Sequence, residues 1–113
     1  MAAYFVDLDG TLFEFGTNNF LPGTQDFLNF IKENEHQLIL TTRRSCEWEG
    51  NAIFSIENTL KALKELDIEY HSILFGIDSP RIVINDDGCS AINLKMNKGL
   101  QKENYEIGEN NET

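Results

Sequence analysis

The sequence predicts an α/β fold, a Rossmann-like three-layer sandwich whose mostly parallel sheet has about five strands. Three observations carry that expectation. Short β-branched and aromatic runs recur along the chain, and most end in acids, hydroxyls or glycine. Two longer stretches place apolar residues at helical spacing. Strands and helices alternate, as they do where helices cover a parallel sheet.

Ala3 to Leu8 (AYFVDL) reads as a buried first strand that ends at Asp9 and Gly10. Thr11 to Asn19 reads as a loop. Pro22 offers a helix start, and Phe27, Leu28, Phe30 and Ile31 repeat at helical spacing as far as the Asn34–His36 break. Gln37 to Thr41 (QLILT) is the second strand. Residues 43–54, with Trp48 and Gly50, carry no clear pattern. Ile56, Leu60, Leu63 and Leu66 mark a second helix from about Ile56 to Leu66. His71–Phe75, Arg81–Asn85 and Ser90–Leu94 are the remaining strands. Only Gly76 to Pro80 separate the third from the fourth, too few residues for an ordinary parallel crossover.

The 113 residues fit one domain, expected over 1–100, with an acidic, flexible C-terminal tail over 101–113. The net charge of −10, from 19 acidic and 9 basic residues, argues against nucleic acid and against an anionic membrane surface as partners. No window is apolar enough to span a bilayer, and the N-terminus has no signal-like basic and apolar regions. Two cysteines, Cys46 and Cys89, make no disulfide framework. The expected location is cytoplasmic.

In an open α/β sheet, ligands collect at the carboxyl ends of the strands. Asp7 and Asp9 stand there after the first strand, Thr41 and Thr42 after the second, and Asp86 and Asp87 after the fourth. One carboxylate of the Asp7-Leu8-Asp9 pair can attack phosphorus, and the other can move the proton of the leaving oxygen. Two carboxylates repel a phosphate unless a cation intervenes, and Asp86 and Asp87 supply further hard-oxygen ligands of the type Mg²⁺ prefers. The Thr42 or Thr41 hydroxyl is the candidate donor to a phosphate oxygen.

DLDGT (Asp7–Thr11), LILTT (Leu38–Thr42) and RIVINDD (Arg81–Asp87) resemble the first, second and fourth motifs of the haloacid dehalogenase superfamily of aspartate-nucleophile phosphatases. The resemblance spans about residues 3 to 100 and is narrowest with its small, cap-less members. It implies a cap-less domain with Asp7 as nucleophile, Asp9 as general acid/base, and Mg²⁺ held by Asp7, the Asp9 carbonyl, Asp86 and the adjacent Asp87. The third-motif lysine is missing, because Phe75-Gly76 is followed by Ile77. Arg81 is the best substitute, ahead of Lys61 and Lys64. Arg43 and Arg44 occupy positions that follow the second motif, and read equally as contacts to a remote anion or as a solvated pair.

Each residue also has a plainer reading. A calcium loop is excluded, since Thr11 and Asn18 stand where it needs a ligand and a glutamate. Asp86-Asp87-Gly88 alone is a turn signal, Thr41 and Thr42 are ordinary strand-end hydroxyls, and Trp48 is either a flap over the pocket or a helix contact. His36 and His71 read as structural. The expected function is therefore Mg²⁺-dependent hydrolysis of a small phosphate ester, with a sugar phosphate among the candidates. An oligomer or partner would roof the open pocket. The alternative is a catalytically weakened binding or regulatory domain. A phospho-accepting receiver needs its acid pair and its acceptor Asp in a different strand order.

Overall fold

The computed structural model describes residues 1–45 and 52–106; Cys46, Trp48 and Gly50 lie outside the described residues, as does 107–113. Three strands, β1 (Ala3–Asp7), β2 (Gln37–Thr41) and β3 (Ser72–Leu74), form one parallel sheet in the order β1-β2-β3. The register sets Ala3 opposite Gln37 and Asp7 opposite Thr41, and Thr41 opposite Leu74. All three carboxyl ends are therefore level.

Helix α1 (Thr24–Glu33) joins β1 to β2, and α2 (Ile56–Glu65) joins β2 to β3 after a short 3₁₀ turn at Ala52–Phe54. Right-handed crossovers in this strand order place both helices on the same face of the sheet. Side-chain burial agrees. Val6, Leu38 and Leu40 point to that face and are buried with Phe27 and Ile31 of α1 and Leu63 of α2. Fully burying side chains of this kind stabilises by about 1.5–3 kcal/mol each. The alternate residues face the other way, where Phe5 is 69% and Leu74 45% exposed.

The α1 start differs from the expected Pro22. Gly23 is the N-cap with a left-handed φ of 86°, where a Cβ would run into the Leu100 carbonyl, and the helix begins at Thr24, two residues past Pro22. Thr24 then donates its hydroxyl to the Leu12 carbonyl at 2.7 Å. Ser55 caps α2 in the ordinary way, accepting from Asn58 N at 3.1 Å.

The five-strand expectation is corrected to three among the described residues. Arg81–Asn85 and Ser90–Leu94 form no strands, and the three-layer sandwich is correspondingly two layers here. The physical reason is the short connection. Ile77 N is held by the Thr42 carbonyl at 2.9 Å, and Gly76 N by the Arg44 carbonyl at 2.8 Å, which leaves no chain to cross the sheet. Residues 78–93 instead form an exposed arm, with Ile82, Val83 and Ile84 at 84%, 67% and 90% exposure. The chain returns where Asn97 N donates to the Gly10 carbonyl at 2.8 Å.

Residues at the head of the acidic C-terminal stretch are ordered into the core. Helix α3 (Lys102–Tyr105) buries Tyr105, whose ring meets Phe27 and Phe30 at centroid distances of 4.9 Å and whose carbonyl accepts from the Tyr4 hydroxyl at 2.9 Å.

Candidate active site

The loop after β1 turns sharply. Leu12 N and Phe13 N both bond back to the Leu8 carbonyl, and Gly10 adopts φ 87°. That turn holds Asp7 and Asp9 over the carboxyl end of the sheet.

Asp7 is partly buried, with its side chain 30% exposed. Arg81 Nη1 donates to its Oδ1 at 2.7 Å, and the Thr11 hydroxyl lies 3.5 Å from Oδ2. Burial raises the Asp7 pKa above its ordinary value of 3.8; Arg81 and Thr11 pull it down, and the neighbouring Asp9 charge pushes it up. Arg81 thus supplies the cation beside Asp7 that the sequence lacked as a lysine. Lys61 and Lys64 are exposed on α2 and bond to neither aspartate.

Asp9 belongs to a different environment. Its carboxylate is gripped by Arg44, with Nη2 to Oδ1 at 2.8 Å and Nε to Oδ2 at 3.1 Å, and the two side chains are 0% and 7% exposed. Arg44 also donates to Asn18 Oδ1 at 2.7 Å, Thr59 Oγ1 at 3.3 Å and the Thr17 carbonyl at 2.8 Å. Those bonds use the whole guanidinium fork. Its Cζ also lies over the Phe13 and Phe54 rings, 5.5 and 5.1 Å from their centroids. Arg44 is therefore neither a remote-anion contact nor a solvated residue; it is a buried clamp on Asp9. The missed signal was its place two residues past Thr42, where the backbone is still packed against the sheet.

The Thr42 hydroxyl is spent inside the same network. It accepts from Arg44 N at 3.0 Å and lies 3.4 Å from Asp9 Oδ2. Thr42 is completely buried, whereas Thr41 is half-buried.

Asp86 and Asp87 are not brought to Asp7. Both are exposed on the arm, and Asp86 Oδ1 closes a local turn by accepting from Gly88 N at 2.8 Å. Among the described residues, no three metal-ligating side chains gather closely enough to hold an ion. Asp7 and the Asp9 carbonyl stand at the carboxyl end of β1, and the Asp86 and Asp87 carboxylates expected to join them there lie on the exposed arm.

No helix among the described residues is long and apolar enough to cross a membrane. No protein-family model matches the chain, and no curated protein matches it. Among solved structures it is similar to the crystal structure of an MCSG target from Vibrio cholerae, at 23% identity over 99% of this chain and 100% of that one, with a TM-score of 0.56. That likeness supports a shared α/β fold and nothing about activity.

Proposed function

We propose that this chain hydrolyses a small phosphate ester through covalent attack by Asp7. The observation that carries the reading is the Asp7–Arg81 contact at the carboxyl end of β1. It pairs a nucleophile-type carboxylate with a guanidinium on an accessible edge of the molecule. Arg81 has a second Nη group, now donating to the Ile77 carbonyl at 3.2 Å, so one fork can touch both Asp7 and an incoming phosphate. A guanidinium fixed beside the phosphorus stabilises the charge that builds on the equatorial oxygens.

An Asp7 oxygen attacks phosphorus and the ester P–O bond breaks. The leaving oxygen takes a proton, and water then attacks the aspartyl-phosphate, releasing inorganic phosphate and restoring the carboxylate. The proton transfer to the leaving oxygen and from the water is assigned to Asp9, which must free a carboxylate oxygen from Arg44 to perform it. No step is assigned to Mg²⁺, because one copy does not assemble its ligands.

The test is turnover of an aryl phosphate by the wild-type chain and by Asp7→Asn. Asp7→Asn should lose at least ~10³-fold in rate, the scale on which a missing nucleophile acts. Unchanged turnover in Asp7→Asn would reject the mechanism.

A second reading has its own observation. Both aspartates are already paired with arginines of the same chain, as in a domain that binds rather than cleaves. Phosphate binding that depends on Arg81, with no turnover across a panel of phosphate esters, would favour it.

A further inference from the structure

Two exposed apolar side chains stand beside the aspartates, and the proposed reaction makes no use of them. Phe15 is 43% and Met96 64% exposed. They come from distant parts of the sequence and meet over Gly10. A Cβ on Gly10 would lie 2.8 Å from Met96 Cγ and 3.8 Å from Phe15 Cδ2. Glycine is therefore needed at this position for close approach as well as for its left-handed backbone. Gly10 follows Asp9 directly and precedes Thr11, whose hydroxyl lies 3.5 Å from Asp7 Oδ2. Neighbouring Cα atoms are ~3.8 Å apart, so the apolar pair begins about one residue beyond the carboxylate assigned to attack.

Backbone bonds fix the pair from behind. Asn97 N donates to the Gly10 carbonyl at 2.8 Å, and Phe15 N donates to Asn97 Oδ1 at 2.8 Å. One asparagine thus ties the loop after β1 to the returning chain. It does so at φ 63°, a left-handed conformation that asparagine tolerates better than most side chains. Lys98 N bonds to the Lys95 carbonyl at 3.3 Å and closes the turn that carries Met96. Leu100 N bonds to the Pro22 carbonyl at 2.9 Å and anchors the chain just beyond it. Both side chains are mounted on held backbone while remaining open to water.

We infer that Phe15 and Met96 form the leaving-group subsite of the Asp7 site, and that the ester it takes is the phosphate of an apolar, ring-bearing alcohol. This assignment rests on the proposed phosphatase reading. In an in-line displacement the leaving oxygen departs away from the attacking Asp7 oxygen, toward the group that protonates it. Asp9 has that role, and the apolar pair covers the very next residue. Sites for small ligands combine apolar walls with a few convergent polar groups. Asp7, Arg81 and Thr11 supply the polar groups here, and Phe15 with Met96 supplies the wall. A phenyl ring packs well against another ring, and a thioether sulfur against a ring edge. A methyl or ethyl ester would leave the pair in water and gain nothing from it.

Phenethyl phosphate and ethyl phosphate, two alkyl esters of similar intrinsic reactivity, are assayed in a buffer containing Mg²⁺. The chains compared are wild type, Met96→Ser, Phe15→Ser and Met96→Leu. Wild type should favour the phenethyl ester in kcat/KM by on the order of 10-fold. Each serine variant should lose most of that preference, and Met96→Leu, which keeps an apolar contact, should retain it. The ratio of the two esters does not depend on how much of a variant is folded. Equal kcat/KM for the two esters in an active wild type overturns the subsite. So does an unchanged ratio in either serine variant, or a ratio in Met96→Leu as low as in Met96→Ser.

Binding separates the subsite from the reaction. Phenethylphosphonate and ethylphosphonate carry a P–C bond that hydrolysis does not break, and titration calorimetry measures their affinity for the same chains. The phenethyl compound should bind wild type roughly 10-fold more tightly, with the difference lost in both serine variants. Wild-type binding without that difference overturns the subsite, as does no binding of phenethylphosphonate at all. A wild type that hydrolyses neither ester, yet shows the phosphonate difference and loses it in the serine variants, refutes the phosphatase reading and leaves the subsite standing. Hydrolysis of both esters with no phosphonate difference does the reverse.

Discussion

Replacing Arg44 with methionine tests whether the Asp9 clamp holds the site together. Methionine keeps much of the volume between Phe13 and Phe54 and removes the charge. Asp9, 7% exposed, would then be a buried carboxylate without its cation, and Asn18 Oδ1, Thr59 Oγ1 and the Thr17 carbonyl would each lose a donor. Breaking a buried ion pair from one side costs about 3–5 kcal/mol. Against a total of ~5–15 kcal/mol for a domain, that is a large fraction. It should lower Tm by at least about 10 °C in a chain of this size. Urea unfolding followed by circular dichroism measures it. The double variant Asp9→Asn/Arg44→Met should be less destabilised than the two single changes added together, because the uncompensated charge is gone. A loss under ~1 kcal/mol in Arg44→Met would refute the clamp.

Asp7→Asn should raise Tm at neutral pH. Burial holds the Asp7 pKa above 3.8, so its contribution to folding is present below that pH and lost as pH rises through the folded pKa. The gain should disappear in acid, and a Tm difference independent of pH would refute the assignment. Arg81→Ala removes a group that lowers the Asp7 pKa, so the acid limb of kcat/KM should move to higher pH, while Arg81→Lys should largely keep it in place. An unmoved limb in Arg81→Ala would remove Arg81 from the site. Tyr105→Ala should cost roughly 3–5 kcal/mol, the range for a buried aromatic, if α3 belongs to the core; an unchanged unfolding midpoint would say otherwise.

The first three strands and both long helices were legible in sequence because each buries a face or is enclosed by the sheet. LILT and the Phe27–Ile31 spacing leave little choice of conformation. RIVIN was legible only as a strand-forming segment. A strand also needs a neighbour, and local composition does not say whether Gly76–Pro80 can deliver one. The site divided the same way. Asp7, Asp9 and Arg81 were readable because they flank apolar runs, and they meet at one end of the sheet. Arg44 was not, since an arginine in a run of charge ordinarily faces water. Its burial depends on Phe13, Asn18, Phe54 and Thr59, four residues far apart in sequence that only the folded chain collects. Tyr105 escaped notice because its acidic neighbours gave the whole stretch the composition of a solvated tail.

The Arg44 guanidinium, in contact with Phe13 and Phe54, ties the hairpin-like loop after β1, the exit from β2 and the second helix into one mechanical unit. None of the three can loosen alone without stranding a charge away from water. Hydrogen exchange at the 11–19 loop should therefore keep pace with exchange in the second helix.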